Sequence, residues 1–408
     1  MKILIVTQYF WPESFRINDL AAGLVERGHR VTVLTGIPNY PGGKAFDGYG
    51  YSGPMREVYC GVQVMRVPMM PRGNGSGFRL ALNYLSFALL ATLLAPLRCK
   101  GGYDCILVYE PSPITVGIPA VLMRWLKRAP LLFWVQDLWP ESLSATGAIK
   151  SGWILRSVET LVRFLYRHSD RILIQSRAFA APIVALGGDP GRIRYFPNSA
   201  ESFYRPEVRI PNAAPDEDLP AGFRVMFAGN IGAAQDFETI LAAATLLKEQ
   251  TSIHWLVLGD GRLRTWVAAE IEARGLQATV HLLGRHPPQA MPAFFAQADV
   301  MLMTLKKEPI FAFTLPAKVQ SYLACAKPII AALDGEGARV VNESGAGVAV
   351  PAEDPAALAN AVLGLAGIGT AELQAMGVKG RHYFEQHFER EMLLSKLEGW
   401  MDELRPAA

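Results

Sequence analysis

Short apolar runs alternate with amphipathic segments along nearly the whole chain. Lys2–Thr7 (KILIVT) opens the sequence, and Phe223–Ala228 (FRVMFA) restarts the same pattern in mid-chain. Each run leads into a loop and then a segment with helical periodicity, which is how a unit of an α/β sheet begins. Repeated strand and helix alternation predicts mostly parallel sheets covered on both faces, with ligands at the carboxyl ends of the strands.

Three further segments extend this prediction. Val58–Val67 is predicted to be one strand, Phe78–Arg98 a long apolar helix, and His382–Leu404 one long amphipathic helix. The chain is too long for a single ordinary core, and a hydrophilic stretch with four prolines, Glu201–Pro220, is the best linker. We therefore predict domains at 1–205 and 206–380, followed by a C-terminal segment, 381–408. By analogy, and not from its own pattern, this segment is expected to cross back to the first domain.

Charge is distributed unevenly between the two halves. Residues 1–200 carry a net charge of +10, whereas residues 201–408 carry −7. The first half is therefore expected to favour an anionic partner, such as an anionic membrane surface or a lipid diphosphate. No basic stripe is interleaved with stacking aromatic residues, so a nucleic acid is not expected as a partner.

The cysteines give no sign of a metal site or a disulfide framework. Cys60, Cys99, Cys105 and Cys325 are scattered, without paired spacing or neighbouring histidines. The chain begins directly with a strand and shows no cleavable signal sequence. A reducing cytoplasm is the expected location.

The turn after the mid-chain strand is the first candidate for ligand binding. Gly229, Asn230 and Gly232 precede a helix predicted to begin near Asp236. Glycines at such a turn let backbone N–H groups approach a phosphate, and a helix N-terminus favours negative charge. A tight turn selected for packing alone is the alternative.

An uncharged segment of 18 residues, Leu80–Leu97, is flanked by Arg79, Arg98 and Lys100. It meets the lower length limit for a membrane-spanning helix. We predict that it does not span, because the strands before and after it are expected to share one sheet. It is either buried in the first domain or has an outer face in the membrane interface.

Six motifs together resemble the retaining glycosyltransferases of family 4, which have the GT-B fold. They are QYFWPESFRINDLAAGLVERGHRVTVLTGIPNYPGG (8–43), WVQDLWPES (134–142), FPNSAE (196–201), FAGNIGAAQ (227–235), LGDG (258–261) and LPAKVQSYLACAKPII (315–330). Within that family, the chain resembles the fucosyl- and fucosaminyltransferases that build colanic acid, O-antigen and capsule. The resemblance implies two Rossmann-like doubly wound domains facing across a cleft.

The resemblance also implies a nucleotide-diphosphate sugar, UDP- or GDP-linked, held by the second domain. The implied donor-binding residues are Gly229, Asn230, Gly232, Gly259, Gly261, Arg285, Lys306, Thr314 and Ser321. Lys318 would meet the leaving diphosphate as a catalytic residue, since it opens a helix whose N-terminus adds positive charge. For Lys318 and Arg285, a solvated surface position is the alternative.

The sequence departs from the family pattern at two places. Phe313 and Ser321 occupy the positions of two glutamates that contact the sugar and the ribose, and Gln136 replaces a histidine before Asp137. Asp137 is carried over as catalytic, with helix capping as its alternative. No metal ligand or cofactor is expected, and Lys306 and Lys307 are further cations for the diphosphate.

Glu13 and Arg16 are the candidate acceptor-binding residues, with an ordinary position in the first turn of a helix as the alternative. The implied acceptor is a polyprenyl-diphosphate-linked glycan at the cytoplasmic face of the inner membrane. Two other functions stay open. One is a non-catalytic subunit that binds a nucleotide sugar, and the other is a GT-B nucleotide-sugar epimerase.

Overall fold

The structure, a computed structural model, describes residues 1–145, 151–209 and 219–405. The chain divides into two units of similar size. One consists of Met1–Pro197 together with Leu393–Ala408, and the other of Asn198–Met392.

The first unit is built on one eight-stranded sheet. Its strands are β1 (Lys2–Val6), β2 (Arg30–Gly36), β3 (Arg56–Tyr59), β4 (Val62–Val67), β5 (Cys105–Glu110), β6 (Leu131–Val135), β7 (Arg171–Ile174) and β8 (Ile193–Tyr195). The spatial order is β3-β4-β2-β1-β5-β6-β7-β8, and each pair is parallel except β3 with β4. The accompanying helices are α1 (Arg16–Glu26), α2 (Gly77–Arg98), α3 (Gly117–Lys127), α4 (Glu141–Ala145), α5 (Gly152–Arg167) and α6 (Ala180–Ala185).

The second unit has a six-stranded parallel sheet. Its strands are β9 (Phe223–Ala228), β10 (Ile253–Leu258), β11 (Val280–Gly284), β12 (Val300–Thr304), β13 (Ile329–Ala332) and β14 (Gly347–Val350), in the order β11-β10-β9-β12-β13-β14. The helices are α7 (Phe237–Leu246), α8 (Arg264–Ala273), α9 (Met291–Gln297), α10 (Pro309–Phe313), α11 (Ala317–Ala324), α12 (Glu336–Ser344), α13 (Pro355–Ala366) and α14 (Thr370–His387). A last helix, α15 (Arg390–Glu403), belongs to the first unit from Leu393 onward.

The apolar runs become strands because helices cover both faces of each sheet. β6 (LLFWV) and β10 (IHWLVL) are buried at every position, so no polar alternation is needed. In each unit the strand order reverses direction beside the first strand. These switch points, between β1 and β5 and between β9 and β12, are where open α/β sheets bind ligands.

The predicted single strand Val58–Val67 is wrong. The structure has an antiparallel hairpin, β3 and β4, that turns at Cys60 and Gly61. Both turn residues have positive φ, 45° and 77°, and this backbone conformation reverses the chain. Periodicity alone did not reveal the reversal because the apolar residues continue on both sides of it.

The boundary between the units lies at Pro197 and Asn198, eight residues before the predicted one. The intervening residues pack within the second unit. Tyr204 stacks on Phe295 with ring centroids 5.9 Å apart, and Arg209 forms an ion pair with Asp299 at 2.7 Å. Residues 210–218 of the predicted linker lie outside the described residues.

The C-terminal segment is two helices, and the predicted single helix His382–Leu404 is wrong. α14 ends at His387, and the fully buried Phe388 packs its ring against Tyr383 before α15 begins. Residues from Leu393 onward belong to the first unit, so the change of unit falls twelve residues after the predicted position. There, Glu398 pairs with both Arg27 and His29.

Helix α2 is long and apolar enough, by length and composition, to cross a membrane. The strands on either side of it, β4 and β5, lie in the same sheet, which a single crossing would not allow. Its inner face is packed into the unit through Asn83, Phe87, Ala88, Ala91 and Ala95, and Asn83 donates to the carbonyl of Met70. The helix is therefore buried on one side and exposed on the other.

The contacts of α15 give a prediction about stability. We expect Glu398→Ala to lower the free energy of unfolding by about 1–3 kcal/mol, because it removes the shared partner of two partly buried basic side chains. Glu385→Ala, at an exposed ion pair within α14, is the control and should cost less than about 1 kcal/mol. Urea unfolding of both variants measures the difference, and equal losses would show that Glu398 does not fasten this helix.

Candidate functional site

The loops after β9 and β10 meet at the carboxyl edge of the second sheet. Gly229 donates its N–H to the carbonyl of Leu258 at 2.8 Å, and Ile231 donates to the carbonyl of Asp260 at 2.9 Å. These bonds hold the two glycine loops side by side at the predicted switch point. The site candidates Gly229, Gly259 and Gly261 are therefore brought together.

Close approach of the loops requires glycine. A β-carbon on Gly259 would lie 1.8 Å from the carbonyl oxygen of Gly229, and one on Gly261 would lie 2.4 Å from that of Ile231. Packing between the loops therefore requires glycine at positions 259 and 261. The amides of Asn230 and Gly232 are different, because they have no hydrogen-bond acceptor among the described residues. They are the backbone donors left for a ligand.

Lys318 lies directly over the first glycine loop. Its Nζ is 2.6 Å from Oε1 of Gln235 and 3.7 Å from the centroid of the Phe227 ring. A β-carbon on Gly229 would lie 2.6 Å from Cε and 2.8 Å from Nζ of this lysine. Gly229 therefore makes room for the lysine side chain, a role that sequence reasoning did not assign to it.

The ammonium of Lys318 is in an unfavourable environment. Burial lowers its pKa to about 7, and no carboxylate pairs with it among the described residues. The Gln235 oxygen and the Phe227 ring offer dipole and π contacts only. An anion placed beside this lysine would restore its proton, so the group is suited to bind negative charge.

The other candidate donor-binding residues differ in their exposure and in their hydrogen bonds. Lys306, after β12, is exposed, and its backbone N–H donates to the carbonyl of Ala234 in the loop after β9. Arg285 is exposed just after Gly284, whose carbonyl accepts from Gly259 at 2.6 Å. The hydroxyls of Thr314 and Ser321 donate to backbone carbonyls of their own segments, at Ile310 and Ala317.

A cavity of about 450 Å³ lies beside the glycine loops at the carboxyl end of β12. Its walls are Leu305, Lys306, Lys307, Glu308, Pro309, Phe311, Ala312, Leu333 and Asp334. Such a volume accommodates a small polar ligand. Asp334 was missed by sequence reasoning, because a single aspartate after a strand is an unspecific signal.

In the first unit, Glu13 is buried and hydrogen-bonded to backbone amides. Its carboxylate accepts from the amides of Asn39 at 2.8 Å, Tyr40 at 2.7 Å and Phe10 at 3.3 Å. Burial nevertheless raises its pKa to about 7. These bonds fasten the loops after β1 and β2, which by itself explains the position of Glu13.

Asp137 and Arg16 lie around the end of β5. The Arg16 guanidinium is close enough to lower the pKa of Tyr109 against the larger, opposite effect of burial. Burial raises the pKa of Asp137 to about 7. Burial and the Asp137 carboxylate together raise the pKa of the fully buried Glu110 well above its usual range. Perturbed carboxyl groups at this edge are typical of functional sites.

Arg72 was missed by sequence reasoning, because it lies in a loop without a motif. Its guanidinium packs over the ring of Tyr40 at 4.9 Å and donates to the hydroxyl of Tyr9 at 3.2 Å. Tyr9 in turn stacks on Phe15, next to Arg16, at 5.1 Å. In the described ranges, Arg72 has no carboxylate partner, so its charge is available to an anion.

Within residues 1–145, 151–209 and 219–405, no group of three or more His, Cys, Asp or Glu side chains is arranged to hold a metal ion.

Comparison with known proteins decides the family. Residues 14–199 match the profile described as a glycosyl transferase 4-like domain, and residues 222–367 match glycosyl transferases group 1. The chain belongs to the group 1, family 4-like glycosyltransferases. The resemblance inferred from the six motifs is confirmed.

Its relatives carry consistent names. The chain is 29% identical over 319 residues to WbjE of Pseudomonas aeruginosa, named as a glycosyltransferase, covering 76% of each protein. It is 24% identical over 336 residues to WcaI of Escherichia coli K12, named as a colanic acid biosynthesis glycosyl transferase, covering 79% of this chain and 81% of WcaI.

The crystal structure of Anabaena HepE in complex with UDP is similar throughout, with a TM-score of 0.69 at 15% identity. It covers 99% of this chain and 100% of HepE. The glycosyltransferase has the expected GT-B fold.

The contact between Gly229 and Lys318 gives a prediction. We expect Gly229→Ala to push the Lys318 side chain toward solvent and so raise its pKa from about 7 toward the ordinary lysine value. Lysine Cε chemical shifts followed by NMR over a pH titration measure this change.

Gly232→Ala is the control for that titration. A β-carbon there would meet only the flexible end of the Asn230 side chain, at 2.4 Å, so the pKa of Lys318 should stay unchanged. An unaltered Lys318 titration in folded Gly229→Ala protein would contradict the assigned role of the glycine.

Proposed function

We propose that this glycosyltransferase moves a sugar from a nucleotide-diphosphate sugar to a lipid-linked glycan during assembly of a bacterial surface polysaccharide. The observation that carries the donor half is the Lys318 ammonium beside two unpaired loop amides. The names of WcaI and of the UDP-bound HepE structure support the substrate class.

The second unit would hold the donor diphosphate. The amides of Asn230 and Gly232 would supply hydrogen bonds, and Lys318, protonated beside the diphosphate, would supply a full positive charge. Lys318 also lies in the first turn of α11, where the helix N-terminus adds partial positive charge. These groups stabilise negative charge at the place where it grows as the sugar leaves.

The reaction breaks the bond between the anomeric carbon and the diphosphate oxygen and forms a bond from that carbon to the acceptor oxygen. The acceptor hydroxyl proton passes to the departing phosphate oxygen on the same face of the sugar. This route retains the anomeric configuration and needs no enzymic nucleophile. Electrostatic stabilisation by Lys318 and the loop amides takes the part that a metal ion plays in other transferases.

The sugar pocket would differ from the usual family pattern, since Phe313 and Ser321 replace two glutamates. The cavity at the end of β12 offers two other carboxylates, Glu308 and Asp334, next to Lys306 and Lys307. We propose that the sugar hydroxyls bind in this cavity. The Ser321 hydroxyl already donates to the carbonyl of Ala317 in its own helix, so we do not assign it to the sugar.

The first unit would hold the acceptor. Arg16 is the first residue of α1, and Arg72 lies in the loop after β4; both are at the carboxyl edge of the first sheet, joined through the stacked rings of Phe15 and Tyr9. Two guanidinium groups match the charge of a lipid diphosphate. Asp137, with its pKa near 7, is placed to accept a hydrogen bond from an acceptor hydroxyl at neutral pH.

Helix α2 supports a membrane-bound acceptor. Leu85, Leu89, Leu93 and Leu97 recur every fourth residue and are between 59% and 64% exposed, which makes one apolar stripe. Trp125 on the neighbouring α3 is also exposed. Basic residues Arg79, Arg98, Lys100, Lys127 and Arg128 flank these elements. We propose that this face rests on the anionic cytoplasmic surface of the inner membrane.

The proposed activity is tested by incubating the purified protein with a panel of UDP- and GDP-sugars and measuring nucleotide release. The expected result is slow release of the nucleotide from one donor, and faster release when lipid extracts are added. Thermal stabilisation by a nucleotide without turnover of any donor would instead identify a non-catalytic binding subunit. Interconversion of the donor sugar without transfer would identify an epimerase.

Lys318→Ala gives the sharpest kinetic prediction. We expect kcat to fall because the activation free energy rises by about 2–4 kcal/mol, since the charge is needed most as the diphosphate departs. The donor KM should rise by a smaller factor. Lys379→Ala, at an exposed lysine on α14, is the matched control and should keep wild-type rates. Unchanged kcat in Lys318→Ala would remove this lysine from the reaction.

The membrane face gives a separate prediction. The wild-type protein should float with vesicles containing phosphatidylglycerol in low salt and be released in high salt. Leu89→Glu with Leu93→Glu should abolish flotation, whereas Leu246→Glu with Val378→Glu, at exposed apolar residues of the second unit, should not. Absence of wild-type flotation at low salt would defeat the proposed membrane face.

A further inference from the structure

A basic cavity of about 430 Å³ opens at the amino-terminal edge of the first sheet. The side chains Arg16, Glu110 and Asp137 lie around the ends of β1, β5 and β6 at the opposite, carboxyl edge. The cavity is therefore separate from the proposed acceptor site. Its walls come from the starts of β1, β2 and β3, from β4, and from the segment after α2.

The lining of this cavity carries positive charge only. Lys2, Arg30, Arg56, Arg98 and Lys100 line it together with His29, and the remaining lining residues are uncharged. The unfolded chain would keep such charges apart, so bringing them together costs free energy unless an anion is bound. His29 is accounted for, because it already pairs with Glu398.

Two of the arginines are close enough to disfavour each other. Burial lowers the pKa of Arg98, and the charge of Arg56 lowers it further. Arg98 donates to the carbonyl of Arg66, a neutral group, and in the described ranges neither Arg56 nor Arg98 has an ion pair with a carboxylate. The cavity therefore contains uncompensated charge with free N–H donors.

The chemistry of these donors indicates which class of ligand the cavity would bind. Guanidinium groups bind phosphate oxygens with paired hydrogen bonds, and ammonium groups add charge. The cavity is larger than one phosphate needs and lies in the range of sites for small molecules. Tyr103, Thr32 and Gln63 supply polar groups at its wall for the remainder of such a ligand.

We propose that this cavity is a second anion site, which binds a phosphate-bearing ligand away from the reaction. The ligand phosphate contacts Arg56 and Arg98, with Lys100 at the mouth. The source is either a soluble phosphate ester or the headgroup of an anionic lipid. The exposed Leu93 and Leu97 lead along α2 to Arg98, so a lipid headgroup in the cavity would have its apolar part beside the stripe.

The soluble source is tested by calorimetry with pyrophosphate and with glycerol 3-phosphate. The titrations compare wild-type protein with the cavity variants, so that phosphate bound at the proposed donor site is common to both and only the difference is assigned to the cavity. Arg56→Gln with Lys100→Gln is expected to weaken binding at least about tenfold, because two cationic contacts are lost. Gln63→Glu, which adds a negative charge to the wall while keeping every arginine, should weaken it as well.

The lipid source is tested by flotation with phosphatidylglycerol vesicles against pure phosphatidylcholine vesicles. Loss of phosphatidylglycerol binding in Arg56→Gln, which lines the cavity but not the membrane face, without any soluble binding in wild type, identifies the headgroup as the ligand. If pyrophosphate does bind, Leu89→Glu with Leu93→Glu separates this site from the membrane face, because it should abolish flotation but leave pyrophosphate binding intact.

Lys379→Gln with Lys396→Gln removes two exposed charges elsewhere and is the control for net charge. The variants should keep wild-type melting temperatures within a few degrees, since Arg56 and Lys100 are exposed. If the cavity variants match this control in both the calorimetric and the vesicle experiments, the proposal is overturned.

Discussion

The Lys318 ammonium, buried against a glycine loop without a counter-ion, is the interaction on which the account of this glycosyltransferase depends. Burial lowers the pKa of the group to about 7, so near neutral pH the free chain carries this charge only in part, and a bound anion would stabilise the charged form. Gly229 leaves the space, Phe227 forms the wall, and the Gln235 oxygen fixes the direction of Nζ. An anion that binds there restores favourable electrostatics and gains affinity from doing so.

The parallel sheets explain why such groups collect at one edge of each unit. Carboxyl ends of neighbouring strands converge, and their loops have no regular partners to satisfy. In the second unit this edge presents N–H donors and lysines. In the first unit it presents Arg16 and Arg72 beside buried carboxyl groups with raised pKa values, Glu110 and Asp137. In the proposed function, the second unit's edge binds the leaving diphosphate and the first unit's edge binds the acceptor.

Much of the fold was predictable from the sequence, because buried parallel strands leave continuous apolar runs. The errors fall where local geometry interrupts such a run. The hairpin at Cys60 and Gly61 joins two apolar segments, and the break at Phe388 lies inside a helical pattern. Neither interruption changes the hydrophobic pattern, so periodicity could not reveal them.

The sequence named candidate site residues, and the structure adds contacts between them that no sequence pattern showed. Gly229 was a candidate because of its glycine turn and Lys318 because of the family resemblance, but their contact joins residues 89 positions apart and depends on the packing of α11 over β9. The same holds for Gln235 and Lys318. The Glu13 carboxylate accepts hydrogen bonds from three backbone amides, and no sequence motif predicts this structural role.

Proton uptake on nucleotide binding tests the central claim most directly. Free Lys318 is mostly deprotonated above pH 7, and a bound diphosphate raises its pKa, so affinity should be full below pH 7 and fall as the pH rises toward the pKa in the complex. Calorimetry with UDP and with GDP at pH 8, in two buffers of different ionisation enthalpy, measures the protons taken up. We predict uptake of about one proton by the wild-type protein and none by Lys318→Met. Tight nucleotide binding without proton uptake would contradict the account.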